Sequence, residues 1–303
     1  MDRQEIKARL TGPLATIRTV FHPDGRIDWE GVRRQVDFVI EGGSGAVILT
    51  YGDSLYSLLS DQEVAEATRV VGEQARGRAV VVAADRCWPT QTTVEFARYA
   101  RKVGADVLMT LPPDWGGSCT SETLARHYAD VAGVIPAMMV TNVLIPRGIP
   151  FAVDTIERVR DTVENVVAVK DDWNEEFGRR LSQAVYGKWA VIAGGQKQHH
   201  LNALPYGCDG YISTFMAFKP SVAQDYWKAI QSRHPDEAAR IVRELDMPLF
   251  DFLLSLRGGF DAGIHGALDL FGIAKRWRRA PYYDLNESEM ESLDGFFKER
   301  GLL

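Results

Sequence analysis

The sequence has few cysteines and no long apolar run. Cys87, Cys119 and Cys208 are the only cysteines among 303 residues, and their odd number and wide spacing fit neither a disulfide framework nor a metal site. No apolar stretch reaches the roughly 18 residues that a membrane span needs. The first ten residues mix charges of both signs and lack the apolar centre of a signal peptide. We therefore expect a cytoplasmic protein with reduced thiols and no membrane partner.

The chain also lacks any block of like charge. It carries 35 basic and 41 acidic residues, which gives a formal net charge of −6. The densest basic cluster, residues 275–279, is short, and we interpret it as solvated surface or a subunit contact. This composition argues against a nucleic-acid partner.

Short apolar runs recur along most of the chain and predict buried strands. The eight runs begin at Gly12, Gly45, Ala79, Asp106, Pro136, Val166, Trp189 and Gly210. Each is bounded by glycine, proline or polar residues, as is typical of strands buried on both faces. The segments between them, such as residues 28–43, place apolar side chains on one stripe of a helix. Eight such strand–helix units predict an α/β fold, a (β/α)8 TIM barrel.

An open doubly wound sheet is the less favoured alternative. It would need a glycine-rich phosphate turn after its first strand, and the glycine-rich residues 41–46 instead lead from a helix into a strand. We predict that the barrel occupies residues 1–232, with its last helix at 220–232, and that residues 233–303 form a C-terminal helical extension. Ser121 is the predicted N-cap of the helix that follows the fourth strand.

Lys170 stands directly after the apolar run of the sixth predicted strand. In a TIM barrel, residues at the C-terminal ends of the strands line the active site. Apolar neighbours disfavour the charged form of a lysine and lower its pKa. A neutral amine attacks a ketone and forms a Schiff base. The alternative is a solvated loop lysine, or a salt bridge to Asp171 or Asp172.

Several motifs resemble one enzyme family in the right order along nearly the whole chain. They are "GAVILTYGDS" at 45–54, "TNVLIPRG" at 141–148, "VVAVKDD" at 166–172, "AGGQ" at 193–196 and "YGCDGYIS" at 206–213. These resemble segments of the dihydrodipicolinate synthase and N-acetylneuraminate lyase family. The resemblance implies a class I enzyme that binds pyruvate or another 2-oxo acid through a lysine Schiff base without a cofactor. It also implies a homotetramer built from two tight dimers.

The resemblance identifies candidate residues on the second strand. Thr50, Tyr51 and Gly52 stand in the turn that holds the carboxylate of the keto acid in this family. The main-chain N–H groups of Thr50 and Tyr51 are the predicted donors. Because the family's second hydroxyl residue is replaced by Tyr51, we hypothesise that its phenol takes part in proton relay. The alternative is that Tyr51 merely fills space.

On the fifth strand, the family's proton-relaying tyrosine aligns with Thr141. A threonine hydroxyl is a much weaker acid than a phenol, so we expect Thr141 to be an auxiliary donor. Asn142 follows it as a predicted substrate contact. Arg147 lies one residue beyond the family arginine that binds a distal carboxylate, and we keep it as a candidate.

The remaining candidates follow strands six, seven and eight. Trp173 replaces a small residue and either narrows the pocket or packs on a helix. Gly194, Gly195 and Ile212 are predicted to lie against the ligand, with the glycines allowing close approach of the backbone. In addition, His199 and His200 are candidates for acid–base chemistry or for packing, but adjacent residues do not share a helix face, which argues against a metal site.

The sequence therefore predicts a Schiff-base-forming lyase that acts on a small-molecule 2-oxo acid. Its reaction is aldol cleavage or condensation with pyruvate, dehydration of a 2-keto-3-deoxy sugar acid, or hydratase–aldolase chemistry on an aromatic 2-oxo acid. The alternatives are a catalytically idle relative that binds a keto acid, and a metal-dependent barrel enzyme.

Overall fold

The computed structural model describes residues 1–303 and contains a closed barrel of eight parallel strands, paired in chain order with β1 beside β8. The predicted TIM barrel is therefore confirmed. The strands are β1 Gly12–Thr16, β2 Ala46–Ile48, β3 Val80–Ala84, β4 Val107–Thr110, β5 Ala137–Val140, β6 Val166–Asp171, β7 Ala190–Ala193 and β8 Gly210–Ile212.

Helices surround the barrel and continue beyond it. The helices are α1 Arg3–Arg9, α2 Trp29–Glu41, α3 Asp61–Ala75, α4 Thr90–Lys102, α5 Ser121–Ala132, α6 Ile149–Thr162, α7 Glu175–Ala184, α8 Lys197–Ala203, α9 Pro220–Gln231, α10 Pro235–Ile241, α11 Met247–Ser255, α12 Gly259–Leu270 and α13 Glu287–Glu299. None of them has the length and apolar character to cross a bilayer.

Each strand is covered by helices on one face and by the barrel interior on the other. Every strand residue is buried except Lys170, which is partly exposed. This burial explains the continuous apolar runs in the sequence, since neither face of the sheet meets water. One lysine in such a sheet requires a polar environment at its strand end.

Local capping residues fix where the helices begin. Ser60 and Glu63 form a reciprocal capping box at the start of α3. The prediction of Ser121 as the N-cap of α5 is wrong by one residue. Thr120 is the cap, because its extended backbone lets its hydroxyl accept from Thr123 N–H while the Thr123 hydroxyl reciprocates.

The C-terminal extension is fastened to the barrel by polar contacts at loops that follow strands. The predicted boundary after residue 232 falls between α9 and α10, and a π-helical turn, Val242–Asp246, joins α10 to α11. Arg279 donates to both carboxylate oxygens of Glu63 and to the Leu58 carbonyl. Asp246 is bound to Lys197 at the start of α8.

Two glycines give a matched test of packing around the barrel. A Cβ atom at Gly72 in α3 would overlap the Val103 carbonyl oxygen, whereas a Cβ atom at Gly295 in α13 would meet nothing within 4 Å. We expect Gly72→Ala to destabilise the fold by about 1–3 kcal/mol, because the added methyl group pushes α3 away from the loop that contains Val103. Gly295→Ala should stabilise α13 by about 0.5–1 kcal/mol. Urea unfolding followed by circular dichroism measures both, and equal midpoints for the two variants would contradict this packing.

Candidate active site

Lys170 projects into the mouth of the barrel. It lies in register with Val140 on β5 and Ile192 on β7, and neighbours in register share one face of a sheet. This face also carries the interior-facing residues of the other strands, so the Lys170 side chain points inward at the C-terminal strand end. The side chain is 12% exposed. The predicted placement of this lysine agrees with the geometry.

The immediate neighbour of the Lys170 ammonium is acidic. Nζ of Lys170 donates to Oδ1 of Asp172. The expectation of an amine among purely apolar neighbours is therefore incomplete, and the alternative of a salt bridge to Asp172 is what the structure contains. This pair lies within the mouth rather than in a solvated loop, since the two side chains are only 12% and 24% exposed.

Gly194 makes room for this pair. A Cβ atom at position 194 would overlap Oδ1 of Asp172. The Gly194 N–H also donates to the Asp171 carbonyl at 2.8 Å, so that the two strand ends are joined. The glycine was predicted to admit a ligand, whereas its observed function is to admit the Asp172 carboxylate.

Thr141 has a positioning role. Its hydroxyl donates to Oδ1 of Asp171 at 3.1 Å and accepts from the Asp172 N–H at 2.8 Å. The residue is fully buried, and these two bonds occupy the proton and one lone pair of its hydroxyl. Thr141 lies in the turn that follows β5, and the residue of β5 in register with Lys170 is Val140. The fifth strand therefore supplies no acidic proton to the site.

Asp171 stabilises the turn that carries Asp172. Its carboxylate accepts from the N–H groups of Trp173 and Asn174, and burial raises its pKa. A Cβ atom at Gly178 would lie 2.6 Å from Asp171 Oδ2, so the glycine lets α7 approach closely. Trp173 stacks on Phe177 at 4.6 Å between ring centroids, which favours the packing alternative for this tryptophan.

The turn after β2 presents free main-chain donors. Thr50 N–H is bound to the Ser54 hydroxyl at 3.0 Å, which corrects its predicted role as an open donor. The Thr50 hydroxyl accepts from Asp53 N–H at 2.9 Å and keeps its own proton. The N–H groups of Tyr51 and Gly52 have no protein partner. The Tyr51 side chain is 37% exposed.

A buried arginine extends this turn, and sequence reasoning missed it. Arg18 donates to the Thr16 hydroxyl at 3.2 Å and to Asp53 Oδ1 at 3.3 Å, while its Nε has no partner. Thr16 lies on the interior face of β1, so Arg18 continues the inward alternation two residues later. This alternation is the signal that would have identified it.

Further unpaired polar groups lie near Arg18, in α12 and in the segment that follows it. Nε and Nη2 of Arg278 and both ring nitrogens of His265 are buried without a partner. Burial, and then the charges of Arg18 and Arg278, hold the pKa of His265 well below its usual value. The pKa of nearby Asp261 is raised by burial. This side of the mouth therefore offers both donors and acceptors.

Arg147 is bound to the loop that follows β4. Its Nη1 donates to Asp114 Oδ2 at 2.6 Å and to the Cys119 carbonyl at 3.0 Å, and its guanidinium lies 4.0 Å from the centroid of the Phe151 ring. These contacts hold the loop between β4 and α5, and the candidate role of Arg147 in binding a distal carboxylate stays a prediction.

The other predicted substrate contacts are Asn142, Ile212 and Gly195, and they lie in different environments. Asn142 is exposed and has no hydrogen-bond partner in the chain. Ile212 is buried on the interior face of β8, in register with Leu14. Gly195 has a φ of +87°, which favours glycine, and its carbonyl accepts from the Thr214 hydroxyl at 3.4 Å. Ile212 and Gly195 thus stand near the mouth, and Asn142 lies at its rim.

A second lysine is fully buried beside strands seven and eight. Lys197 Nζ donates to Asp246 Oδ1 at 2.7 Å and to the Ser213 hydroxyl at 3.2 Å, and lies 4.6 Å from the Phe215 ring centroid. All of its surroundings are protein groups, and its charge is compensated. Its role is to fasten the extension to the barrel.

The two histidines differ in environment. His200 is buried against the Tyr226 hydroxyl at 2.9 Å, and burial lowers its pKa to about 4. His199 is partly exposed, and burial lowers its pKa although the charges of Asp171 and Asp172 oppose this shift. His200 therefore has a packing role. No group of three or more His, Cys, Asp or Glu side chains is arranged to hold a metal ion.

Comparison with known proteins identifies the family of this chain. The chain matches the Dihydrodipicolinate synthetase family over residues 9–300. A 4-hydroxy-tetrahydrodipicolinate synthase of Nitrosococcus oceani is 27% identical over 296 residues, which cover 96% of this chain and 99% of that protein. The "Probable 5-dehydro-4-deoxyglucarate dehydratase 1" of Streptomyces coelicolor is 26% identical over 308 residues, with 97% and 95% covered.

A solved structure shows the same fold. The N-acetylneuraminate lyase from Fusobacterium nucleatum, complexed with pyruvate, has a TM-score of 0.84 at 17% identity, with 98% of this chain and 99% of that chain covered. The family assignment made from the sequence motifs is confirmed. The chain belongs to the dihydrodipicolinate synthetase family and is an enzyme of its class I aldolase and lyase type.

Proposed function

We propose that this protein is a lyase that binds a 2-oxo acid as a Schiff base on Lys170. The observation that carries the proposal is that Lys170 is the one strand residue of the barrel that is not buried, and that it points into the mouth. The iminium formed there withdraws electrons from the adjacent carbon, C3. C3 then loses a proton, or its bond to the neighbouring carbon breaks or forms.

The carboxylate of the 2-oxo acid would bind at the turn after β2. The unpartnered N–H groups of Tyr51 and Gly52 and the hydroxyl proton of Thr50 offer donors in one short segment. Main-chain donors of this kind bind carboxylates without the loss of side-chain freedom. Gly195 and Ile212 would line the opposite wall, and Asn142 the rim.

The distal part of the substrate would be hydroxylated rather than aromatic. Arg18 and Arg278 supply unpartnered donors, while Asp261 and Asp53 supply acceptors on the same side. A hydroxyl group both donates and accepts, so it pairs with either kind. Trp173 is occupied by its stacking on Phe177, so it does not offer a free aromatic face to a flat substrate. Both an aldolase and a dehydratase reaction accommodate a hydroxylated chain.

We further propose that the protein is cytoplasmic and forms a homotetramer, as the family resemblance implies. Each chain would consist of two parts, the barrel and the C-terminal extension. The absence of disulfides among the three cysteines supports a reducing compartment. Light scattering coupled to gel filtration should give a mass four times that of the chain. A monomer at micromolar concentration would contradict the tetramer.

Trapping with borohydride tests the Schiff base. Incubation with pyruvate and sodium borohydride should add one reduced pyruvate to Lys170, as read by intact mass and peptide mapping. Lys170→Arg should form no adduct, because guanidinium is not a nucleophile. The control Lys188→Arg changes a surface lysine and should react as the wild type does. Acetone, which has no carboxylate, should react far more slowly. An adduct on another lysine, or none with any 2-oxo acid, would refute the proposal.

Variants of Arg18 test whether this residue binds the distal hydroxyl groups of the substrate. We expect Arg18→Met to raise KM for hydroxylated 2-oxo acids by about tenfold or more, the equivalent of one charge-assisted hydrogen bond at about 1.5–3 kcal/mol. Pyruvate trapping on Lys170 should change little, since pyruvate has no distal group. Arg18→Lys keeps the charge and should be intermediate. Equal effects on both classes of substrate would contradict the assignment.

A further inference from the structure

We infer that Asp172 is the acid–base catalyst of the Schiff-base reaction, and that it replaces a proton-relaying hydroxyl on the fifth strand. The inference rests on the proposed Schiff base at Lys170. Asp172 contacts the reacting nitrogen itself, because its Oδ1 accepts from Lys170 Nζ. None of the other acidic or basic side chains is hydrogen-bonded to that nitrogen.

Before substrate binds, Lys170 is paired with a carboxylate, so the reaction needs a base to remove its proton. An ammonium group paired with a carboxylate has no lone pair, so Lys170 must release a proton before it attacks a ketone. The residue in register with it on β5 is Val140, which carries no titratable group. Thr141 is occupied by Asp171 and Asp172. The carboxylate of Asp172 is thus the nearest acceptor for that proton.

The carboxylate of the neighbouring Asp171 is occupied by other hydrogen-bond donors. Asp171 accepts from the Thr141 hydroxyl and from the N–H groups of Trp173 and Asn174, so its oxygens are held in the turn. Asp172 has only Lys170 as a side-chain partner. Two adjacent aspartates therefore have separate roles, one in holding the turn and one in moving protons.

Neighbouring residues fix the position of the Asp172 side chain. Its N–H donates to the Thr141 hydroxyl, and the missing side chain at Gly194 leaves the space that its carboxylate occupies. A catalytic group held in this way needs little reorganisation during the reaction. The Asp172 side chain keeps 24% exposure, so that a small ligand in the mouth has access to it.

The proton transfers balance as follows. Asp172 takes a proton from the Lys170 ammonium, the amine bonds to C2 of the 2-oxo acid, and the former carbonyl oxygen receives that proton from Asp172. The nitrogen then returns a proton to Asp172, which passes it to the hydroxyl, and water leaves. The iminium keeps the positive charge that the ammonium brought, and Asp172 is again a carboxylate. It next accepts a proton from C3, which leaves a neutral enamine.

The test compares rates of trapping by borohydride and of exchange of the pyruvate methyl protons in D2O. Asp172→Asn, which is nearly isosteric, should slow both by about 10²- to 10⁴-fold, the usual contribution of acid–base catalysis. Asp172→Ala should recover part of the rate when formate is added, because formate supplies the missing carboxylate. Glu175→Gln removes an exposed acidic charge from the start of α7 and should keep the wild-type rates.

Tyr51→Phe addresses the competing hypothesis of a phenol relay. We expect it to remain at least about tenfold faster than Asp172→Asn, since a relay through Asp172 does not use the phenol. If Tyr51→Phe is the slower of the two, the phenol is the acid–base group and the inference is wrong.

The outcomes also separate this inference from the proposed function. If Asp172 only held the ammonium, its removal would free the amine, and Asp172→Asn would trap pyruvate as fast as the wild type or faster. That result would overturn the role of Asp172 and leave the Schiff base intact. Failure of the wild type to form any Lys170 adduct would instead remove the proposed function.

Discussion

The ion pair between Lys170 and Asp172 is the interaction on which the site depends. A closed barrel of buried strands excludes water from its interior, so a lysine on such a strand must find a partner charge or lose its own. Here the partner is supplied two residues later by the same chain. The protein therefore keeps its amine charged and ordered at rest, with the proton acceptor already in contact. Removal of either member would leave the other charge partly buried without compensation.

The fold holds that pair through a few specific contacts. The register of β5 against β6 directs Val140 and Lys170 to the same interior face. Thr141, in the turn that follows β5, links Asp171 to the main chain of Asp172. Gly194 on the seventh strand end leaves the necessary space. The chemistry of the mouth is thus a consequence of positions on three neighbouring strands.

Much of this arrangement was predictable from the sequence, because burial on both faces produces continuous apolar runs and glycine-rich ends. The eight strands, the barrel and the location of Lys170 follow from that pattern. The role of Thr141 did not follow, since its partners Asp171 and Asp172 lie 30 and 31 residues later at the end of the neighbouring strand. The ion pair of Arg147 with Asp114 did not follow either, because Asp114 lies in a different loop. The Ser121 cap differed by one residue, as two adjacent hydroxyl residues compete for that position.

The buried polar groups around Arg18 and His265 were the hardest to foresee. They come from the segment after β1 and from α12, almost 250 residues apart in the chain, and no local pattern joins them. The pairing of Lys197 with Asp246 has the same origin, since it joins the seventh strand end to the extension. Contacts between the barrel and the extension therefore shape the mouth in ways that strand periodicity does not encode.

The crystal structure of the protein soaked with pyruvate is the most direct test of this account. We predict continuous density between Lys170 Nζ and C2 of the ligand, with the ligand carboxylate at the Tyr51 and Gly52 N–H groups and Asp172 within hydrogen-bond reach of the adduct. Pyruvate bound away from Lys170, with the lysine still held by Asp172, would contradict the account.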